Sequence, residues 1–310
     1  MATLDNYLLA IRCGHQLGQE PQQTLLAKLL EVIYQEMAYE PIVRLIQHAS
    51  LQIGDWRAAI EYLQTLKREW VGLDRALTVE MHMPLSMLTE LVNEGVNAHK
   101  FNPKHAARFL QEYERLAVDY QRSLLEAARR NAPEAYDKKS NALTQSVQQE
   151  ARWPLLLHDM TARLVVGRTV KEQPTEFMPR VLVSGLFIPP ELTARIWVAW
   201  TFPNFGKVIT KFYVGRTRMN LLILGIALRL YEQEHAELPS TLERLVPTYV
   251  PSVPEDPFAE MKPLRYVREN GSWRVYSLGP DRIDQGGRPV LPVGQIEGPG
   301  DLVLSSEAAR

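Results

Sequence analysis

Residues 219–231 constrain the fold more than any other stretch of this 310-residue chain. They are apolar nearly all round, with Asn220 and Arg229 as the strong exceptions, so a helix built from them has no face suited to water. Such a helix spans only ~20 Å, well short of the ~30 Å apolar thickness of a bilayer. It must therefore be a core helix, and the rest of the chain has to supply elements on most of its sides.

The preceding residues offer such elements. From 4 to 132 the apolar positions recur at helical spacing, as in Leu25, Leu26, Leu29, Leu30 and Ile33, then Ala59, Tyr62, Leu63 and Leu66. This predicts amphipathic helices packed on one another. The clearest follows Asn102, an N-cap residue type, with Pro103 at the first helical position and Phe109, Tyr113, Leu116, Tyr120 and Leu124 along one stripe. It should run for about eight turns and stop near residues 131–133. The run from Gly54 to Tyr62 resembles one helix of a tetratricopeptide repeat, but no second copy follows about 34 residues later, so a repeat array is not expected.

Size and composition narrow the class. A single core stops growing near ~250–300 residues, so two domains are expected. With 45% hydrophobic and 23% charged residues the chain is neither disordered nor collagen-like. Its 35 basic and 36 acidic residues leave a formal charge of −1, which removes the long-range field that draws proteins to nucleic acid. Cys13 is the only cysteine, so one chain makes no internal disulfide and no cysteine metal cluster, and it reads as a small buried hydrophobe. The first seven residues lack the basic and apolar pattern of a signal peptide, and no segment reaches the ~18–20 apolar residues of a membrane span.

Beyond residue 168 the texture changes. Pro174, Pro179, Pro189, Pro190 and Pro203 interrupt long helices, the apolar run 181–188 suits a strand, and Trp197, Trp200, Phe202 and Phe205 suit an aromatic hinge. After Pro239, proline and glycine punctuate short strands. Residues 265–268 and 273–277 should pair as a hairpin around Asn270-Gly271. Ser240-Thr241-Leu242-Glu243 reads as a capping box, with Ser240 as the cap, opening a short helix.

The order of these tail elements carries a resemblance. A helix ending at Tyr231-Glu232-Gln233-Glu234-His235 is followed by Leu238-Pro239, the short helix, Tyr249, Pro254, Asp256-Pro257-Phe258, Pro263 and Tyr266. Then come Ser277-Leu278-Gly279-Pro280-Asp281, Gly286-Gly287 and Gly300-Asp301. Residues 216–304 resemble the globular part of a bacterial type II secretion major pseudopilin. The resemblance implies an α+β class, with a predominantly α-helical N-terminal domain over 1–167, a connector over 168–215 and a pseudopilin-like domain over 216–310. The last should hold a core helix and an antiparallel sheet. It further implies a calcium loop, with Asp281, Asp284 and Asp301 as carboxylate ligands and Leu278 as a carbonyl donor, chemistry that suits an ion taking several oxygens in irregular geometry. Arg282 stands where the family usually has glycine, and the leader, processing glycine and long apolar stem of a pilus subunit do not open this sequence. The expectation is thus the fold and the loop, without filament formation. The family's setting points to the periplasm or cell envelope, through an N-terminal anchor absent from this chain, with the cytoplasm as the alternative.

Other constellations are weak. Glu232-x-x-His235 has one-face ligand spacing but no second copy, and His82, His99 and His105 share no face. Arg129-Arg130 and Lys138-Lys139 read as solvated helix ends. The common hydrolase, phosphate-loop and dinucleotide signatures are missing. The functional expectation is a non-catalytic interaction or scaffolding protein of the bacterial envelope with protein partners and no nucleic acid. The alternative is a hydrolase or small-ligand binder with its site between the two domains.

Overall fold

The computed structural model describes residues 2–19, 24–48, 51–70, 72–97, 102–166, 189–201, 205–269, 271–288 and 300–307. Its helices are α1 (Ala2–Gly18), α2 (Leu25–His48), α3 (Ile53–Arg68), α4 (Asp74–Asn97), α5 (Pro103–Arg130), α6 (Pro133–Val166), α7 (Pro190–Thr201) and α8 (Gly206–His235). Its strands are β1 (Glu255–Asp256), β2 (Lys262–Pro263), β3 (Arg265–Glu269), β4 (Ser272–Ser277) and β5 (Leu302–Ser305). The chain is therefore mostly helical with a small antiparallel sheet region near its C-terminus, as an α+β class requires.

Two compact units emerge, one from residues 1–73 with 208–310 and the other from 74–207. This division does not follow the expected one at 167/168 and 215/216. The physical reason is the core helix: residues 221–230 are all buried, and their surroundings come from both ends of the chain. One apolar cluster joins Leu8, Ile11, Ile42, Ile46, Trp56 and Leu63 to Leu221–Leu224, Leu228, Trp273, Val275 and Leu304. The core helix also begins earlier than its apolar stretch, at residue 206 instead of 219. Its partners approach closely: a Cβ on Gly225 would stand 2.7 Å from Leu304 Cδ2, and one on Gly215 would stand 3.2 Å from Gln35 Oε1.

Arg229, the charge the apolar run could not explain, lies at the C-terminal end of α2. Its Nε donates to the Ile46 carbonyl at 2.7 Å and its Nη2 to the Gln47 carbonyl at 3.2 Å, and Nη1 meets Glu232 at 2.7 Å. Those carbonyls belong to the last turn of α2, where no intrahelical donor remains and the helix dipole favours a cation.

β3, β4 and β5 form one antiparallel sheet in that order, with Val275 opposite both Tyr266 and Leu304. The β3–β4 hairpin matches its sequence expectation, with Gly271 at φ 81° in the turn. β1 and β2 make a separate two-stranded ladder. Between α8 and β1 the short helix is a 3-10 turn, Leu242–Leu245, and its cap is Thr241, not Ser240. The Glu243 carboxyl is held below its usual range chiefly by the Thr241 hydroxyl and its own backbone N–H.

In the second unit α5 obeys its caps. Asn102 accepts from the N–H groups of Lys104 and His105 at 3.0 and 3.2 Å, and Asn131 closes the helix in the left-handed region at φ 47°. Phe109, Tyr113, Tyr120 and Leu124 are buried on one stripe, and Tyr120 meets Tyr136 of α6 edge-on. Arg129 and Arg130 end α5 in exposed ion pairs with Asp74 and Glu126. Lys139 is not at a helix end: it lies within α6 and binds Asp119 of α5 at 2.6 Å. The expected strand at 181–188, and Phe202 of the aromatic hinge, lie outside the described residues.

Candidate functional site

The tail's aspartates sit where tight turns need acceptors. Pro257 follows Asp256, so the chain leaves β1 in a turn, and Asp256 is fully buried beneath it. Its Oδ1 accepts from Phe258 N at 2.9 Å and Ser277 Oγ at 2.7 Å, while Oδ2 accepts from Leu278 N at 3.0 Å. Gly279 must be glycine here: its φ is 68°, and a Cβ would stand 2.6 Å from the Gly300 carbonyl.

The residues expected to bind calcium occupy the adjoining loop. Asp281 accepts from Ile283 N at 3.0 Å through Oδ1, and from Gln285 Nε2 at 2.8 Å and Gly300 N at 2.9 Å through Oδ2. Asp301, fully buried, accepts from Gln285 N at 3.4 Å, Gly287 N at 2.6 Å and Arg288 N at 3.2 Å. Asp284 accepts from Gly286 N at 2.9 Å and lies 3.5 Å from Arg265 Nε. Asp281 and Asp301 are thus joined through Gln285, and the Leu278 backbone N–H is already donated to Asp256. Burial, reinforced by Asp284, pushes the Asp301 carboxyl above the usual range against the pull of three amides. Among the described residues no three His, Cys, Asp or Glu side chains are grouped to hold an ion; residues 289–299 lie outside them. Among the histidines, His82 is exposed, while His99 falls outside the described residues. Glu232 pairs with Arg229, and His235 stacks on Tyr231 at 4.1 Å, so that pair ends a helix.

A second polar cluster was not foreseen. Glu31 of α2, 1% exposed, accepts from His15 Nδ1 of α1 at 3.2 Å, from Lys28 Nζ at 3.0 Å and from the Trp70 indole. Lys28 is likewise 1% exposed, so each buried charge answers the other. Glu69 lies 3.3 Å from His15 Nε2 at the solvent side, and the Arg216 guanidinium covers Trp70 at 4.9 Å. The helices meet closely because Gly14 and Gly18 leave room; a Cβ at Gly14 would reach Tyr34 Cβ at 2.5 Å. The sequence signals were those two glycines four apart inside a helix, and Lys28 and Glu31 on the apolar face between Leu25 and Val32. Cys13 is half-buried, less enclosed than the small buried hydrophobe expected.

The same unit exposes apolar surface. On α2, Leu26, Ile33 and Met37 are 66, 51 and 67% exposed, with Leu30 half-buried between them. Between α1 and α3 a groove of about 330 Å³ is lined by Leu4, Leu8, Leu9, Ala58, Ala59 and Tyr62, with Asp5, Arg12 and Asp55 at its rim.

Compared with protein-family models, curated proteins and solved structures, the chain matches none. No described helix is long and apolar enough to cross a membrane.

Proposed function

We propose that this chain is a non-catalytic interaction protein of the bacterial cell envelope, and that α2 supplies its docking face. The observation carrying this reading is the stripe Leu26, Leu30, Ile33 and Met37. Its steps of four, three and four residues are the a/d spacing with which one helix receives another. Three large apolar side chains more than half exposed on one helix face mark an interaction surface better than scattered ones do. The envelope setting is supported by the likeness of residues 216–304 to the pseudopilin globular part.

The test is a triple substitution, Leu26→Gln, Ile33→Gln and Met37→Gln, in the full chain. Exposed positions should leave the melting temperature unchanged, while proteins that co-purify with the wild type from its native cells should be lost. The same proteins recovered equally with the variant would remove α2 as the docking face.

Calcium belongs to this proposal as the ligand implied by the resemblance, held by Asp281, Asp284, Asp301 and the Leu278 carbonyl. The oxygens already accept amides, so a cation has to use their remaining lone pairs. Calcium should raise the melting temperature of the wild type relative to chelator, and Asp281→Asn should lose that response. An unchanged wild-type melting temperature leaves the loop as turn chemistry alone.

A further inference from the structure

The exposed edge of α1 has a pattern that the α2 stripe does not share. Asp5, Leu9, Arg12 and Gln16 are all exposed and follow one another at helical one-face spacing. Leu9 is 54% exposed and borders the α1–α3 groove. Asp5 and Arg12 have no hydrogen-bond or ion-pair partner among the described residues. The groove itself is polarised: Asp5 and Asp55 stand on its rim together with Arg12. Tyr62 of α3 lines the groove as well, and its hydroxyl pKa, raised by burial, is drawn down by Arg12.

The midpoint between Asp5 and Arg12 falls half a residue from Leu9. A twofold axis through that point lays α1 antiparallel on its own copy, and in a twofold interface every contact occurs twice. Asp5 then opposes Arg12 of the second copy, Arg12 opposes its Asp5, and each Leu9, close to the axis, reaches into the groove of the other copy. A parallel arrangement would instead set like charges against each other. We infer that the α1–α3 groove is a self-association surface, occupied by Leu9 of a second copy of this chain and held in register by reciprocal Asp5–Arg12 pairs.

One helix edge buries less than a standard interface, so the dimer is a weak one of the small class. It lies on a different helix from the docking face proposed above and stands or falls independently of it.

The experiment is sedimentation of the full chain over a concentration series reaching ~1 mM, an affinity corresponding to about 4 kcal/mol. The wild type should dimerise, and Leu9→Arg should weaken dimerisation at least about tenfold, as should Asp5→Arg or Arg12→Asp alone, while the double swap Asp5→Arg with Arg12→Asp returns it to within about threefold of wild type. If Asp5→Arg lowers the melting temperature, the Arg12→Asp arm decides. A wild type that stays monomeric at ~1 mM overturns the inference. So does a dimer indifferent to the single charge reversals, or one that the double swap fails to restore. The triple α2 variant should dimerise like the wild type; its loss of the dimer would move the interface to α2 and overturn the assignment to α1.

Discussion

The helices α5 and α8 are close in length, yet they draw their definition from different sources. α5 begins on the Asn102 cap, ends on the left-handed Asn131 and buries one stripe, so water bounds the rest of it. α8 is enclosed over 221–230, and its one strong charge in that run is spent on the carbonyl end of another helix. A capped amphipathic helix is specified largely by its own residues, whereas an enclosed helix is specified by whatever surrounds it. Its stability is correspondingly shared with distant segments.

That contrast breaks most visibly under core truncation. Ile223→Ala or Leu228→Ala in α8 should cost about 2–4 kcal/mol in chemical denaturation, because neighbours from α2, α3 and the sheet cannot all collapse into the space. On α5, Val118 is 45% exposed, and Val118→Ala should stay within about 0.5 kcal/mol. A loss below ~1 kcal/mol at both α8 positions would make that helix peripheral.

The next largest effect concerns the polar exception. Arg229→Met removes the donors to Ile46 and Gln47 and should destabilise by about 1–3 kcal/mol; a neutral result would mean that solvent replaces the guanidinium. On α5 the counterpart is Asn102→Ala, expected to cost about 1 kcal/mol through the orphaned Lys104 and His105 amides. If the cap variant proves costlier than the Arg229 variant, the ranking of shared over local definition is reversed.

The smallest effect is a slope. Asp301 has its folded carboxyl raised, so its contribution to stability is fully present below the ordinary carboxyl pKa of about 4 and is lost as pH rises through the raised folded value. Asp301→Asn should therefore flatten the pH dependence of unfolding on the acid side. A variant as pH-sensitive there as the wild type would assign the slope to other carboxyls.

Legibility followed the same division between local and shared definition. The N-cap of α5 and the Asn270-Gly271 hairpin could be read because each lies within a few residues and works through backbone geometry. Thr241 displaced Ser240 as the N-cap by a single residue, in an extended conformation without a side-chain cap hydrogen bond, and the 3-10 turn buries Leu242 and Leu245. In the candidate loop the resemblance singled out the aspartates, but the amides from Gly300 to Asp281 and from residues 285–288 to Asp301 come from 13 to 19 residues away, beyond what spacing shows. The Glu31 cluster left only indirect signals, Gly14, Gly18 and two charges on an apolar face, since His15, Lys28 and Trp70 converge only once three segments are packed. The unit boundaries escaped for that reason too: periodicity shows that a helix is amphipathic but not which distant helix it will meet.

The split composition of the first unit has a consequence in time. Trp56, Leu63 and Ile42 await α8, from which residues 74–207 separate them on the ribosome. At ~5–20 residues per second, that interval lasts on the order of ten seconds. During it the second unit has everything it needs to fold, and α1, α2 and α3 have only one another. The part of the molecule made first is therefore among the last to be completed.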